Sequence, residues 1–206
     1  MAFNKHGGIV VFIVFAVLQM ANAGDPNILT DFVFPPNVTA VDANFFTYTG
    51  LRVLVGAPPP PAFNVLKATK KEFPSLEGQS VSYAVLQYPA GTINPLHSHP
   101  RSTELLFLLQ GTLEVGLVDT TNKLYTQTLQ AGDMFVFPKG LVHYQYNADS
   151  KNYALAASAF ASASAGTVSV PNSVFTSGID DTILATSFKT DVSTIESIKA
   201  GLKPKA

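Results

Sequence analysis

Three of the four histidines in this chain fall within two short segments, and with one glutamate they could bind a metal ion. The first segment contains His97, His99 and Glu104, and the second contains His143. Side chains at positions i and i+2 of a β-strand point to the same face, so His97 and His99 can direct two imidazoles at one point. The fourth histidine, His6, lies in a separate apolar leader.

The position of Glu104 requires a break in the strand that carries the two histidines. Glu104 follows His99 at an odd spacing, which on a straight strand would send it to the opposite face. Residues 100–103 begin with a proline, which cannot donate to a strand ladder, so a bulge or bend is predicted there. That bend would return Glu104 to the shared face. His143 follows a turn at residues 138–140, so it is predicted to come from a separate strand.

The donor atoms of this set indicate the kind of ion. Three imidazoles and one carboxylate suit Mn, Fe, Ni, Cu or Zn, and the chain contains no cysteine for a structural zinc cluster. Four protein ligands leave open positions on an octahedral ion, where water or substrate could bind. A single strand histidine is more often a core or surface residue, but three with a carboxylate favour a metal site.

The same segments carry a family resemblance. They match both cupin motifs, G-x5-H-x-H-x4-E-x6-G from Gly91 to Gly111 and G-x5-P-x-G-x2-H-x3-N from Gly132 to Asn147. Together with residues 25–32, they resemble the plant germin-like proteins. The resemblance implies an all-β, single-domain cupin β-jelly-roll with short C-terminal α-helices, and Mn(II) as the ion, with another divalent metal as the alternative. It also implies an apoplastic homo-oligomer, commonly a hexamer built as a trimer of dimers.

The chain begins with features of a secreted protein. An apolar run, Ile9–Leu18, follows Lys5 and leads to a small-x-small site ending at Ala23. This pattern predicts a signal peptide and secretion to the extracellular space, whereas a membrane anchor needs ~20 apolar residues. The predicted organisation is a signal peptide over residues 1–23 and one domain over 24–206, with a jelly-roll core at about 60–165 and a helical tail at about 176–202.

Short apolar, β-branched and aromatic runs separated by Gly, Pro and Asn predict a sandwich or barrel. The predicted strands are 44–49, 63–67, 81–88, 104–109, 113–118, 123–129, 134–137, 141–146 and 153–160. Beyond Pro171, apolar residues at helical spacing predict two amphipathic helices, the second capped by Asp191 or Thr190 and ended by Gly201. These helices could cover the open end of the β-domain or pack on a neighbouring subunit, and the resemblance favours the second.

The segment after the leader has no cysteine to fix it. Most germin-like proteins have a cysteine pair near the mature N-terminus, whereas this chain has Val33 where the first is expected. This N-terminal arm is therefore predicted to be held by packing alone, through Ile28, Leu29, Phe32 and Phe34. Asn37 opens the sequon Asn-Val-Thr and is a candidate glycosylation site.

Charge and hydropathy exclude other partners. The net charge of −1, without a Lys/Arg cluster, gives no electrostatic footprint for nucleic acid. No segment beyond the leader is predicted to span a membrane. Two residues near the motifs have alternative interpretations. Asn147 is more consistent with a turn or hydrogen-bonding role than with a fifth metal ligand, and Arg101 could be a polar gate or an exposed salt bridge.

Two functions remain open. By resemblance to the oxalate oxidases, Asn94 matches one substrate-contacting asparagine, but Ala84 stands at the position of the other and offers no hydrogen bond. This favours a manganese-dependent, superoxide dismutase-type activity over oxalate oxidation. The alternative is a non-catalytic extracellular, cell-wall or receptor-like protein of defence or development, in which the metal is structural. The physiological small-molecule substrate stays open.

Overall fold

A computed structural model of the chain describes residues 25–36, 38 and 40–203. The predicted signal peptide, residues 1–23, and the candidate glycosylation site Asn37 lie outside the described residues. None of the described helices has the length and apolar character that crossing a membrane requires.

The described part of the chain forms two five-stranded antiparallel sheets followed by three short helices. The strands are β1 Asn64–Ala68, β2 Ser82–Tyr88, β3 Ile93–Ser98, β4 Glu104–Gln110, β5 Thr112–Val118, β6 Leu124–Gln130, β7 Met134–Phe137, β8 Val142–Tyr146, β9 Ala154–Phe160 and β10 Val168–Ser169. The helices are α1 Val170–Phe175, α2 Asp181–Phe188 and α3 Val192–Gly201. One sheet has the order β1-β2-β9-β4-β7 and the other β10-β3-β8-β5-β6. The predicted all-β cupin jelly-roll with short C-terminal helices is confirmed.

Large apolar side chains fill the space between the two sheets. In β4 and β5, inward-facing residues alternate with outward-facing ones, and Leu106, Leu108, Leu113 and Val115 among them are fully buried. The tight connection between these strands depends on Gly111, which has a φ of 82°. A Cβ there would lie 2.6 Å from the carbonyl oxygen of Tyr153, so no larger residue fits. This packing fixes the two sheets against each other, and one end of the space between them holds polar residues instead.

The first predicted strand, at residues 44–49, is wrong. This region forms turns and then a 3₁₀ helix at Gly50–Leu54. The Asp42 carboxylate accepts hydrogen bonds from both the backbone and the side chain of Asn44, which stabilises a turn in place of a strand. The aromatic residues that suggested a strand instead form a cluster, with Phe32 packed edge-on against Phe46 at 5.1 Å between ring centroids. Among the strands and α-helices, β10 and α1 were not predicted, and β3 was predicted only through His97 and His99.

The N-terminal arm is not held by packing alone, which corrects the prediction. The Asp25 carboxylate accepts hydrogen bonds from the hydroxyl of Ser162 at 2.6 Å and the backbone amide of Ala163 at 2.7 Å. Leu29, expected to pack, is fully exposed. The Asp25 carboxylate therefore fixes the start of the arm, and the aromatic cluster fixes a later part of it. Together they hold the arm where a disulfide is absent.

The C-terminal helices form a small cluster of their own. Leu184 and Ala185 of α2 pack against Ile195 of α3, which is completely buried. Asp191, one of the two predicted caps, caps α3 by accepting a hydrogen bond from the backbone amide of Thr194. Because Ile195 is covered within its own chain, it cannot be part of a contact with a neighbouring subunit.

Candidate metal centre

The four predicted ligand residues come together from three strands in the two sheets. His97 lies on β3, His99 follows that strand by one residue, and His143 lies on the adjacent β8, directly opposite His97 in register. Glu104 opens β4, which belongs to the other sheet. All four side chains are buried. The site therefore lies between the sheets, at the polar end of the core.

The backbone between His99 and Glu104 bends as predicted and also crosses from one sheet to the other. A turn at Pro100 and Arg101 lies where the bend is predicted, and a register shift also interrupts β3 between Asn94 and His97. The turn carries the chain from one sheet to the other, so Glu104 reaches the site from the facing sheet. The odd spacing is accommodated because the inner faces of two opposed sheets point toward each other.

The donor atoms converge on one point. One ligand atom from each of the four residues can be chosen such that all lie within 4.8 Å of one another. The Nε2 atoms of His99 and His143 lie 3.0 Å and 3.2 Å from Oε2 of Glu104. The rings of His97 and His143 are 4.1 Å apart between centroids. This arrangement fits a single metal ion.

Backbone carbonyls orient all three imidazoles. Nδ1 of His97 lies 2.7 Å from the carbonyl oxygen of Pro95, that of His99 lies 2.6 Å from Gly166, and that of His143 lies 2.8 Å from Leu141. A carbonyl oxygen only accepts hydrogen bonds, so each Nδ1 carries its proton. Each Nε2 then faces the centre of the site. Metal-binding histidines are oriented in this way in proteins.

The contacts at the centre require a positive charge. With Nδ1 protonated, a neutral imidazole presents a lone pair at Nε2, and the Glu104 carboxylate presents only acceptors. The Nε2 atoms of His99 and His143 and Oε2 of Glu104 would repel one another at 3.0–3.2 Å. A proton or a metal cation between them removes this repulsion. The donor set of three nitrogens and one oxygen suits a divalent transition metal.

The other oxygen of Glu104 is held by neutral donors. Oε1 accepts hydrogen bonds from the Ser158 hydroxyl at 2.6 Å and from the Gln145 amide at 3.2 Å. The Gln145 carbonyl in turn accepts from the Asn94 amide at 2.6 Å and the Tyr88 hydroxyl at 3.2 Å. Among the described residues, every buried side-chain nitrogen and oxygen has a hydrogen-bond partner. The side of Glu104 that faces away from the centre is therefore fixed by the chain itself.

Burial and hydrogen bonding set the charge states of two of the residues. Burial lowers the pKa of His97 to about 4, and the neighbouring His143 acts in the same direction, so His97 is neutral at neutral pH. Burial alone would raise the pKa of Glu104, but the close contacts of its carboxylate with His143 and His99 outweigh burial and hold that pKa well below its usual range. A neutral imidazole and an ionised carboxylate are the forms that bind metal ions.

A cavity of about 470 Å³ leads from the surface to the site and is lined by His97, His99 and Glu104. Asn94 lines it beside the histidines, with its amide nitrogen 3.4 Å from Nε2 of His97. Ala84 also lines it, and its methyl group leaves space on the wall formed by β2. The two positions singled out by the sequence thus border the same space.

Sequence reasoning missed the residues that support the ligands. Gln145 lies two positions after His143 on one strand, a spacing that places it on the same face and could have identified it. Ser158 and Tyr88 have no such relation to the motifs, and only the pairing of strands brings them near Glu104. Asn147 is fully buried and donates to the backbone carbonyls of Tyr88, Pro89 and Asn152. Its predicted hydrogen-bonding role is confirmed.

Within the described residues, Arg101 does not form the salt bridge considered for it. Its guanidinium donates to the backbone carbonyl and the hydroxyl of Ser164. It also covers Gly166, where a Cβ would come within 2.8–2.9 Å of the guanidinium atoms. Among the described residues it has no acidic partner within salt-bridge distance. Arg101 therefore fixes the loop whose Gly166 carbonyl orients His99.

Two opposed antiparallel sheets with three histidines and a glutamate between them define the cupin class of metal-binding β-jelly-rolls. The Cupin family matches residues 59–196 of this chain. Germin-like protein 9-3 of Oryza sativa subsp. japonica is 58% identical over 203 residues, covering 95% of this chain and 94% of that protein. Germin-like protein subfamily 2 member 4 of Arabidopsis thaliana is 40% identical, covering 82% and 76%. The chain belongs to the germin-like proteins of the cupin family.

A solved structure shows a similar fold. An oxalate oxidase in complex with the substrate analogue glycolate superposes with a TM-score of 0.76 at 29% identity, covering 88% of this chain and 100% of that one. An oxalate decarboxylase of Lactobacillus farciminis in a formate complex superposes with a TM-score of 0.61 at 25% identity, over 74% of this chain and 43% of that one.

Proposed function

We propose that His97, His99, Glu104 and His143 bind one divalent metal ion, with Mn(II) as the native ion. The observation that carries this proposal is the orientation of all three Nε2 atoms toward Glu104 by backbone carbonyls. A donor set without sulfur and an open cavity on one side are consistent with an octahedral ion that keeps positions for water or substrate. Membership of the germin-like proteins supports manganese among the divalent metals.

We further propose that the protein is an extracellular oxidoreductase of the superoxide dismutase type. When bound, manganese would supply one-electron exchange with a small molecule. The chain supplies the surroundings: the hydrogen bonds to Ser158 and Gln145 hold Glu104 in place. Asn94 extends its amide toward the ligand side of His97, where it can donate to a small anion.

The test is superoxide scavenging by three preparations of the mature protein. The metal-loaded protein should accelerate the loss of superoxide, whereas the metal-free protein and a His99→Ala variant should not. Equal rates for the three preparations would contradict an enzymatic role for the site. Metal content measured on each preparation connects the activity to the ion.

Oxalate is not expected to be a substrate, despite the similarity to an oxalate oxidase. Ala84 gives the cavity wall a methyl group in place of a hydrogen-bond donor. A site that lacks a required polar partner discriminates strongly against the substrate that needs it. The metal-loaded protein should therefore release no more hydrogen peroxide from oxalate than the metal-free protein does.

A structural role for the metal is the second candidate. The ligands come from both sheets, so a bound ion would link β3 and β8 to β4 across the core. Such an ion stabilises the folded state through binding alone, by ~2.7 kcal/mol at a concentration one hundred times its dissociation constant. A large rise in melting temperature on metal loading, without superoxide turnover, would favour this candidate.

We propose that the protein functions as a homo-oligomer, with the family's trimer of dimers as the expected form. The supporting feature is an outer apolar face on the first sheet, formed by Tyr83, Leu105, Phe107, Met134 and Val136. Leu105 lies opposite Val136, and Phe107 lies opposite Met134, so these side chains form a continuous patch. Their exposures range from 37% to 57% in the isolated chain. Contiguous exposed apolar patches of this kind mark interaction sites.

We also propose secretion to the apoplast or cell wall, with a glycan at Asn37. Support comes from the leader, the sequon and the germin-like relatives. Mass spectrometry of the protein from plant tissue should show a chain that begins at Gly24 and a peptide whose Asn37 becomes aspartate on enzymatic deglycosylation. A retained leader would contradict this localisation.

A further inference from the structure

We propose that Lys67 and Lys71 form an anion-selective mouth for the cavity, so that small anions enter readily and free cations enter slowly. This inference rests on the proposed function in one respect, namely that the cavity leads to a metal site. It adds two residues to that function, neither of which belongs to the motifs that identify the ligands.

Strand register places Lys67 on the cavity side of the first sheet. Lys67 of β1 pairs directly with Ala84 of β2, and paired residues on antiparallel strands share a face. Ala84 is buried and lines the cavity, so the side chain of Lys67 is directed to the same space. The small side chain of Ala84 leaves that space open beneath Lys67.

Lys71 and Glu72 lie on the loop that follows β1 and also line the cavity. The Glu72 carboxylate is fixed by two hydrogen bonds from Thr69, one from its amide at 3.1 Å and one from its hydroxyl at 2.6 Å. Glu72 therefore holds the loop in shape while its own negative charge offsets part of the positive charge nearby.

The other positively charged side chains near the mouth have hydrogen-bond or ion-pair partners and do not line the cavity. Lys70 forms an ion pair with Glu77 at 3.0 Å and does not line the cavity. Arg101 donates to the backbone carbonyl of Ser164, a cavity residue, but does not itself line the cavity. Among the described residues that line the cavity, Lys67 and Lys71 outweigh Glu72, and Glu104 lies at the bottom among the histidines. An excess of one charge sign at the mouth of a cavity raises the local concentration of ions of the opposite sign.

The experiment measures the affinity of azide, a small monoanion, for the cobalt(II)-loaded mature protein by its visible absorption. Lys67→Gln and Lys71→Gln should each weaken azide binding by about three- to tenfold at low ionic strength. Glu72→Gln keeps an acceptor for Thr69 but loses the charge, so it should strengthen binding. Lys151→Gln, on an exposed loop outside the cavity lining, is the matched control and should leave the affinity unchanged.

A second measurement on the same variants concerns cations. Loss of either cavity lysine should increase the rate at which cobalt(II) enters the metal-free protein, opposite in sign to the effect on azide. Both effects should shrink in high salt, because screening acts on charges across an open mouth.

The outcomes separate this inference from the proposed function. Unchanged azide affinity and unchanged cobalt entry in both lysine variants would overturn it. If the protein binds no divalent ion, the proposed function fails. In that case, azide is titrated into the metal-free protein and followed through the NMR signals of the Asn94 side-chain amide. Weaker azide binding in the Lys67→Gln and Lys71→Gln variants than in the Lys151→Gln control would still support the inference. Charge-dependent azide binding without superoxide turnover would support the inference and contradict the dismutase activity.

Discussion

The interior site and the outer apolar face differ in how far residues of the same chain surround them. The polar groups of the site have hydrogen-bond partners, whereas the apolar side chains of the outer face remain exposed. At the interior site, the carboxylate of Glu104 and the ring nitrogens that face away from the centre all have partners within the same chain. On the outer face of the same sheet, Phe107 and Met134 remain 37% and 57% exposed. Leu106 and Leu108, the neighbours of Phe107 on β4, are fully buried.

This difference favours a small ligand for the interior site and another protein surface for the outer face. Under the proposed function, the interior binds only a small ion and a small molecule, so a single chain can position the binding residues by itself. No element within the described residues covers the outer face, and large exposed apolar patches favour association with another protein surface. Metal binding should therefore be a property of one subunit, and assembly a property of the outer face.

Removal of one ligand should have the largest effect. His97→Ala takes away one of three imidazoles, so affinity for the divalent ion should fall by more than the ~10–100-fold typical of supporting residues. The melting temperature measured with metal should fall as well, because binding no longer stabilises the folded state. Metal analysis and calorimetry measure both quantities.

Gln127→Ala, on the exposed strand β6, is the control for that change and should alter neither quantity. A His97→Ala protein with full metal content and an unchanged melting temperature would show that the four residues do not form the metal site.

Removal of a supporting hydrogen bond should have a smaller effect on the same site. Ser158→Ala deletes the donor to Oε1 of Glu104, and such losses reduce metal affinity by ~10–100-fold. Isothermal titration with Mn(II) measures the change. Ser187→Ala on α2, which deletes an exposed hydroxyl bonded to its own helix, is the matched control. Equal affinities for the two variants would mean that Glu104 is positioned by packing rather than by Ser158.

The outer face should respond to a change that leaves the metal site intact. Phe107→Asp introduces a charge into a surface that we propose is buried between subunits, and loss of one buried large side chain weakens association by about tenfold or more. Light scattering should show a smaller assembly, while metal affinity per subunit stays the same. Thr126→Asp, on the exposed strand β6, is the control.

The tail helices offer a competing location for the subunit contact. Val192 and Ile198 are each 39% exposed, so a Val192→Asp, Ile198→Asp variant alters the surface of α3 but keeps Ile195 buried. We expect this variant to weaken assembly less than Phe107→Asp does. The reverse order would move the principal interface from the sheet to the tail.

The smallest expected effect is that of reductant. The chain contains no cysteine, so neither the oligomeric mass nor the metal affinity should change when reductant is added. Scattering and titration with and without a phosphine reductant that does not bind metal provide the measurement. A change in mass would indicate that an additional component takes part in the assembly.

Much of the fold could be predicted from local pattern. Alternating apolar residues and turn residues predicted the strands from β4 to β9 nearly at their observed limits. Asp191 was one of two predicted caps, because a cap side chain acts within one helical turn. The turn at residues 43–46 could not be predicted in this way. There, the Asp42 side chain overrides the strand preference of the adjacent aromatic residues.

The sequence by itself predicted the four residues of the candidate metal centre, because residue type and spacing along two segments are enough to single them out. It also determined the absence of disulfides. Only the tertiary structure decided that Glu104 enters from the opposite sheet and that Ser158 holds it. It likewise showed that Asp25 fixes the N-terminal arm and that Lys67 faces the cavity across from Ala84. These relations join residues far apart in the chain, and they depend on which strands pair and in which register, which no local pattern contains.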